Sequence, residues 1–245
     1  MENMPQLTEE EQASDLGKEL SKLSIRAIAG LQSIDRLKHG EPIVPRGLVE
    51  NQRGELLYLR PLLSAGHLLL PNQCVAGAFK VGYRTEPDNI TLEALLYRVL
   101  GAELHFVSLG GRPEGYGATR LIMATGGTEW QRSLELLEER TDLILVVPHL
   151  SEGVRWEIKL LSERRSLGKT LFIMPPLAMD IDVPKLWAEA TPMMTECGLA
   201  IPPYQSDGSI FRFAPDGKVA ERWEFGLLWK NKLLSEIEHL LPEPK

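Results

Sequence analysis

Residues 141–176 read TDLILVVPHLSEGVRWEIKLLSERRSLGKTLFIMPP, and the fold turns on this stretch. An unbroken apolar run, 143–147, has the length and partial β-branching expected of a strand buried on both faces. Pro148 ends it. Ser151 has the chemistry of an N-cap, and a helix is predicted over 152–165. Val154, Ile158, Leu161 and Leu160 gather on one side of that helix. Gly168 is placed just past its end. A second apolar run, 170–174, follows at once and is stopped by Pro175 and Pro176. Strand, helix and strand with short links predict parallel pairing and a right-handed crossover. In open sheets of this kind ligands sit beyond the carboxyl ends of the strands, so chemistry is expected first in residues 148–157.

Outward from this unit the pattern repeats. ELLYL at 55–59 predicts the first strand, with Arg60 at its carboxyl end. Arg60 is open to two readings, a structural ion pair or a contact to a ligand phosphate or carboxylate. Residues 64–89 have no clear period and predict short structure or a flap. Asn89 or Thr91 caps a helix to about residue 100, followed by a strand over 103–109. The loop GGRPEGYG at 110–117 lies at that strand's carboxyl end. Its Gly110 and Gly111 suit either a plain connection or a close approach to phosphate, although neither GxGxxG nor GxxxxGK[ST] is present. A short strand at 120–124, a helix over 129–140 and a helix over 183–197 complete the alternation. Residues 199–202 predict a last short strand. Alternating runs around Pro215, Asp216 and Gly217 predict a β-hairpin, and a closing helix is predicted over 226–241.

The expected fold is therefore α/β, a three-layer sandwich with about five mainly parallel strands in a flavodoxin-like sheet. An N-terminal helical arm precedes it, and a C-terminal hairpin plus helix follows. Two units are expected, an arm and linker at 1–45 and the α/β domain at 46–245. Within the arm, Leu16, Leu20, Leu23, Ala27, Leu31, Ile34 and Leu37 make one apolar stripe over residues 14–38. Such a stripe packs on its own domain or binds a second copy or partner protein.

With 245 residues the chain can bury a sizeable core, and its formal charge of −7 argues against general nucleic-acid binding. Cys74 and Cys197 match no metal spacing and read as reduced thiols. No apolar run approaches the ~18 residues of a membrane span, and the polar acidic start is unlike a secretory signal. A cytoplasmic protein without a metal site or resident cofactor is expected.

Glu157 is the leading candidate for chemistry. It falls in the second turn of the central helix, beside Trp156 and four residues after Gly153, where a ligand backbone has room. A carboxylate there can orient ribose hydroxyls, stabilise an oxocarbenium ion or attack C1′. It can equally be a carboxylate favoured by the helix dipole. Trp156 suits stacking on a base or packing in the core. His149 suits an acid/base role or a loop position. Ser151 reads as a cap, since no GxSxG elbow surrounds it.

These residues resemble the TIR and nucleoside 2-deoxyribosyltransferase-like superfamily. The order of an apolar strand at 142–147, Ser151, Trp156 and Glu157 is similar to TIR NADases, in which a glutamate on the following helix is catalytic. The Gly153 to Glu157 spacing is similar to that before the nucleophilic glutamate of deoxyribosyltransferases, and Gly168–Lys169 resembles their later GK. Leu59-Arg60-Pro61, Glu129-Trp130, Trp156-Glu157, the run 169–176, residues 204–208 and Asp216–Gly217 also look like segments of uncharacterised bacterial TIR-like domains. Two departures stand out: tryptophan and glutamate are adjacent here, and the first-strand region lacks the acidic residue that deoxyribosyltransferases use on the base. What the resemblance implies is NAD or a nucleoside as substrate, N-glycosidic cleavage or transfer, and Glu157 as the catalytic carboxylate. It further implies Arg60, Gly110, Gly111, His149, Ser151, Gly153 and Trp156 around the substrate, self-association, and a role in bacterial defence or signalling. The alternative is a non-catalytic TIR-like module that binds a nucleotide or a protein and assembles through its N-terminal helix.

Overall fold

A computed structural model describes residues 53–59, 68–71, 89–101, 103–109, 120–122, 129–179 and 181–243. The predicted arm at 14–38, Arg60 and the 110–117 loop lie outside the described residues, as does most of 64–89.

The elements, in chain order, are β1 (Gly54–Leu59), β2 (Leu69–Pro71), β3 (Asn89–Thr91), α1 (Leu92–Leu100), β4 (Leu104–Leu109), β5 (Arg120–Ile122), α2 (Glu129–Arg140) and β6 (Leu143–Val146). After them come α3 (Glu152–Glu163), β7 (Thr170–Met174), α4 (Val183–Glu196), β8 (Ser209–Phe213), β9 (Val219–Glu224), α5 (Gly226–Trp229) and α6 (Leu233–Glu236). One seven-stranded sheet runs β5-β4-β1-β6-β7-β8-β9, and β2 pairs with β3 in a separate ribbon. The five strands from β5 to β7 are parallel, whereas β8 and β9 are antiparallel. The domain is thus α/β with a mixed, mainly parallel sheet.

Strand alternation explains why β6 is central. Ile144 and Val146 face one side with Leu57, Leu59 and Phe172; Leu143 and Leu145 face the other with Leu56, Tyr58 and Leu171. All ten of those side chains named for β1, β6 and β7 are essentially inaccessible, and each contributes roughly 1.5–3 kcal/mol of burial. A strand apolar on both faces needs a layer of helices on each. α1 and the C-terminal helices α5 and α6 cover the first face. α2, α3 and α4 cover the second. The crossover from β1 to β4 and that from β6 to β7 move in opposite directions, and their helices lie on opposite faces, as a shared right-handed crossover requires.

Numbered among themselves, the parallel strands run 3-2-1-4-5; without the three-residue edge strand β5 the remaining four run 2-1-3-4. Either way the order reverses between β1 and β6, which makes their carboxyl ends the switch point of the sheet.

Three local expectations are corrected. Gly168 does not close α3: Arg165 takes the left-handed conformation (φ 59°), and Ser166–Lys169 forms a 3-10 turn. Residues 199–202 are not a strand; the carbonyl of Pro202 accepts a hydrogen bond from Trp187 Nε1 at 2.9 Å, and the next strand is β8. The closing helix is broken into α5, α6 and a 3-10 turn at Glu238–Leu240. Asn231, with φ 52°, is left-handed between α5 and α6, a conformation no continuous helix admits. The predicted hairpin is present as β8–β9 and is added to the edge of the main sheet. Its turn requires Gly217, whose φ of 78° favours a residue without Cβ and whose surroundings leave a Cβ no room beside the Gly198 carbonyl.

Among the described residues no helix is long and apolar enough to cross a membrane.

Candidate functional site

The carboxyl end of β6 is held against β1, where the Val147 amide donates to the Leu59 carbonyl at 3.4 Å. Pro148 then turns the chain away from the sheet, and α3 begins. Ser151 is extended (φ −145°, ψ 151°), and its Oγ accepts a hydrogen bond from the Val154 amide at 3.3 Å. That is N-cap geometry, which leaves Ser151 as the residue that starts α3 at the switch point. Gly153 follows in the first turn, and a Cβ built there meets nothing within 4 Å. The helix mouth therefore has open space beside its backbone.

Glu157 is one turn further on, on the same side of α3 as Val154 and Leu161, both of which belong to the core against β1 and β6. It is 8 % exposed. Its Oε2 is sealed from solvent with no hydrogen-bond partner among the described residues. Burial alone pushes its pKa up to about 8, because the ionised form gives up hydration and gains no donor in return. At neutral pH the group is chiefly a neutral acid.

Trp156, the neighbour of Glu157, is half-buried and turned towards α2. Its ring meets that of Trp130 edge to face, with centroids 5.0 Å apart and planes at 70°. This pairing couples α2 and α3 and gives Trp156 a packing role.

His149 lies on the other side of Pro148. It lines a small cavity of about 20 Å³ with Leu68, Val183, Leu186 and Trp187, large enough for about one water molecule. Its Nδ1 is buried and has no partner among the described residues. Burial holds its pKa below the usual histidine value, against a smaller opposing effect from Glu189. The structure thus brings Ser151, Gly153 and Glu157 onto the first two turns of α3 and places His149 against α4. Arg60, Gly110 and Gly111 are outside the described residues.

Among the described residues no group of His, Cys, Asp and Glu side chains is arranged to hold a metal ion.

No protein-family model, curated protein or solved structure matches the chain. The reading of the site therefore rests on its own residues.

Sequence reasoning missed one feature. An open cavity of about 1050 Å³ lies past the carboxyl end of β7, between the 205–208 turn and the segment that joins β9 to α5. Tryptophans and charged residues alternate along that segment at Arg222, Trp223, Glu224, then Trp229 and Lys230. That alternation was visible in the sequence, but the expected uninterrupted helix hid the concavity that the break at Asn231 creates.

Proposed function

We propose that this chain is a TIR-like domain that binds a nucleotide, NAD or a nucleoside at the β1–β6 switch point and cleaves or transfers its N-glycosidic bond. The observation that carries the reading is the Glu157 carboxyl, buried with an unpartnered oxygen two turns into the helix that starts there. A buried unpaired carboxyl is costly, and a ligand whose hydroxyls donate to it removes that cost. Ribose supplies such donors.

In the reaction the C1′–N bond breaks, the base leaves with the bonding electrons, and water or an acceptor hydroxyl adds at C1′ and gives up a proton. Once ribose hydroxyls replace the lost hydration, Glu157 ionises and stabilises the positive charge that grows at C1′. From NAD the departing nicotinamide is neutral and needs no proton. From a nucleoside the departing base must gain one, and the proton given up by the water or hydroxyl that adds at C1′ supplies it, while Glu157 stays ionised. The cap at Ser151 and the open backbone at Gly153 position the helix mouth against the ligand. Self-association through residues 14–38, and a role in bacterial defence or signalling, rest on the resemblance alone.

The test is incubation of concentrated protein with NAD and a panel of nucleosides, with released base followed by chromatography and Glu157→Gln alongside. Release lost in Glu157→Gln supports the reading. Release that survives the substitution removes Glu157 from the chemistry.

One observation favours the second reading, a module that binds without catalysis: Glu157 lines neither the cavity past β7 nor the small one beside His149. Saturable nucleotide binding with no base release from any substrate decides for the module.

A further inference from the structure

The cavity past β7 is built for a ligand of its own. Its wall is the 205–208 turn, whose Gln205 amide donates to Met174 Sδ at the end of β7 at 3.2 Å, and which is held further by a bond to the segment after β7 and one within the turn. The Leu177 amide donates to the Ser206 carbonyl at 3.0 Å, and the Gly208 amide to the Gln205 carbonyl at 2.9 Å. Gly208 has a φ of 70°, and a Cβ there would stand 2.7 Å from both the Met174 carbonyl oxygen and the Pro176 nitrogen. The turn is therefore pressed against the end of β7, and the cavity is preformed rather than closed on demand. Its apolar lining includes Trp223, Trp229 and the half-exposed Leu177.

The charges distinguish this cavity from a plain surface hollow. Asp207, Arg222, Glu224 and Lys230 all line it, and all four are exposed. None of the four forms an ion pair among the described residues, although ion pairs occupy neighbouring positions such as Arg212–Glu221. Among the described residues the Arg222 side chain bonds that of Gln205. Two carboxylates and two cations thus stand without an ion pair among the described residues around an aromatic-lined space at the carboxyl end of a parallel strand, where ligands of open α/β sheets bind. A ligand of single charge would leave one set facing its own sign. A ligand with both charges and a flat apolar body complements all three features.

We propose that this cavity binds a small aromatic zwitterion of the α-amino-acid type. Its ring lies against Trp223 beside the buried Trp229, its carboxylate meets Lys230 and its ammonium meets Asp207, while Arg222 and Glu224, on the opposite face of β9 from Trp223, stand at the rim. The site is independent of the Glu157 reading, since Glu157 lies on the opposite layer of helices.

The experiment is calorimetric titration of the whole chain with phenylalanine. Phenylacetate, phenethylamine and N-acetylphenylalanine amide serve as analogues that lack the ammonium, the carboxylate or both charges. Tryptophan emission, excited where phenylalanine is silent, is read in parallel. Phenylalanine is expected to saturate and to shift the emission, and each analogue to bind at least about tenfold more weakly. Lys230→Gln and Asp207→Asn, both at exposed positions that leave the fold intact, should each weaken phenylalanine by a similar factor, and Glu157→Gln should leave it unchanged. The proposal is overturned by no saturation up to about 10 mM, by an uncharged analogue that binds as well, or by indifference to both rim substitutions.

Discussion

Glu138 and Glu157 are buried carboxylates on the adjacent helices α2 and α3, and only Glu138 has company. One Glu138 oxygen accepts a hydrogen bond from Ser166 Oγ, and the other lies 3.4 Å from Arg164 Nη1. Lys169 Nζ stands 3.5 Å from the first oxygen and donates to the Thr141 carbonyl at 2.9 Å. Glu157 Oε2 meets no donor among the described residues. Two like groups in like burial thus differ in the partners that other elements bring to them.

Glu157 should make the fold less stable as pH rises. Its folded pKa is raised to about 8 from the ordinary glutamate value of 4.5. A raised pKa means that the stability present below the unfolded value is lost between the two values. The loss is on the order of 1.4 kcal/mol per pH unit across that window. Glu157→Gln has no such window. Urea unfolding of both proteins at pH 5 and pH 8 should show near parity at the lower pH and a clear advantage for Glu157→Gln at the higher. Parallel profiles would refute the burial argument.

Glu138 should behave in the opposite sense to removal. Glu138→Ala strips the acceptor from Ser166 and leaves Lys169 and Arg164 with one partner fewer. The expected cost is roughly 3 kcal/mol, read as a fall in denaturation midpoint at unchanged slope. Lys169→Met should cost less, because Arg164 and Ser166 still hold the carboxylate. A cost for Glu138→Ala within the range of a surface substitution would show that the network adds little.

Most of the central unit was legible because its residues leave few alternatives. The runs at β6 and β7 are apolar on both faces, and only a strand between two helical layers buries both. Ser151 and Thr91 were legible as caps for a related reason: each side chain satisfies an amide three residues on, Val154 and Ala94. The C-terminus was not legible. Leu227, Leu228, Leu233, Leu234 and Ile237 have helical spacing, yet the chain turns at Asn231, whose left-handed backbone no apolar period reports. Arg165 deceived in the same way, taking the left-handed place that Gly168 was expected to hold. At the site, position was readable from the strand–helix junction, whereas the isolation of the Glu157 carboxyl was not. Isolation depends on which donors other elements fail to bring, and periodicity along one helix carries no information about that.

Ser151 and Gly153 should separate structure from ligand contact. Ser151→Ala removes a cap and should cost about 1 kcal/mol, whereas Ser151→Asp should restore it. Base release, where the protein has it, should survive both, since the hydroxyl is committed to the Val154 amide. Gly153→Ala meets no obstruction and should raise stability by up to about 1 kcal/mol through the usual alanine advantage in a helix. If a ligand approaches the helix mouth there, the same methyl should weaken its binding. Gain of stability without loss of affinity would place the ligand elsewhere.

Nucleotide binding at Glu157 should release a proton. In the free protein the carboxyl is neutral at pH 7, because burial holds its pKa at about 8. Ribose hydroxyls that donate to Oε2 favour the ionised form, so the pKa falls on binding and the proton leaves. Calorimetry in two buffers of different ionisation enthalpy measures that proton directly. At pH 7 the expected release is close to one proton per site, fading as the pH passes the free-state pKa and absent in Glu157→Gln. A ligand that binds with no proton exchange at pH 7 either leaves Glu157 untouched or donates nothing to it. Proton uptake would mean that a different group, with His149 the nearest candidate along the chain, titrates in the complex.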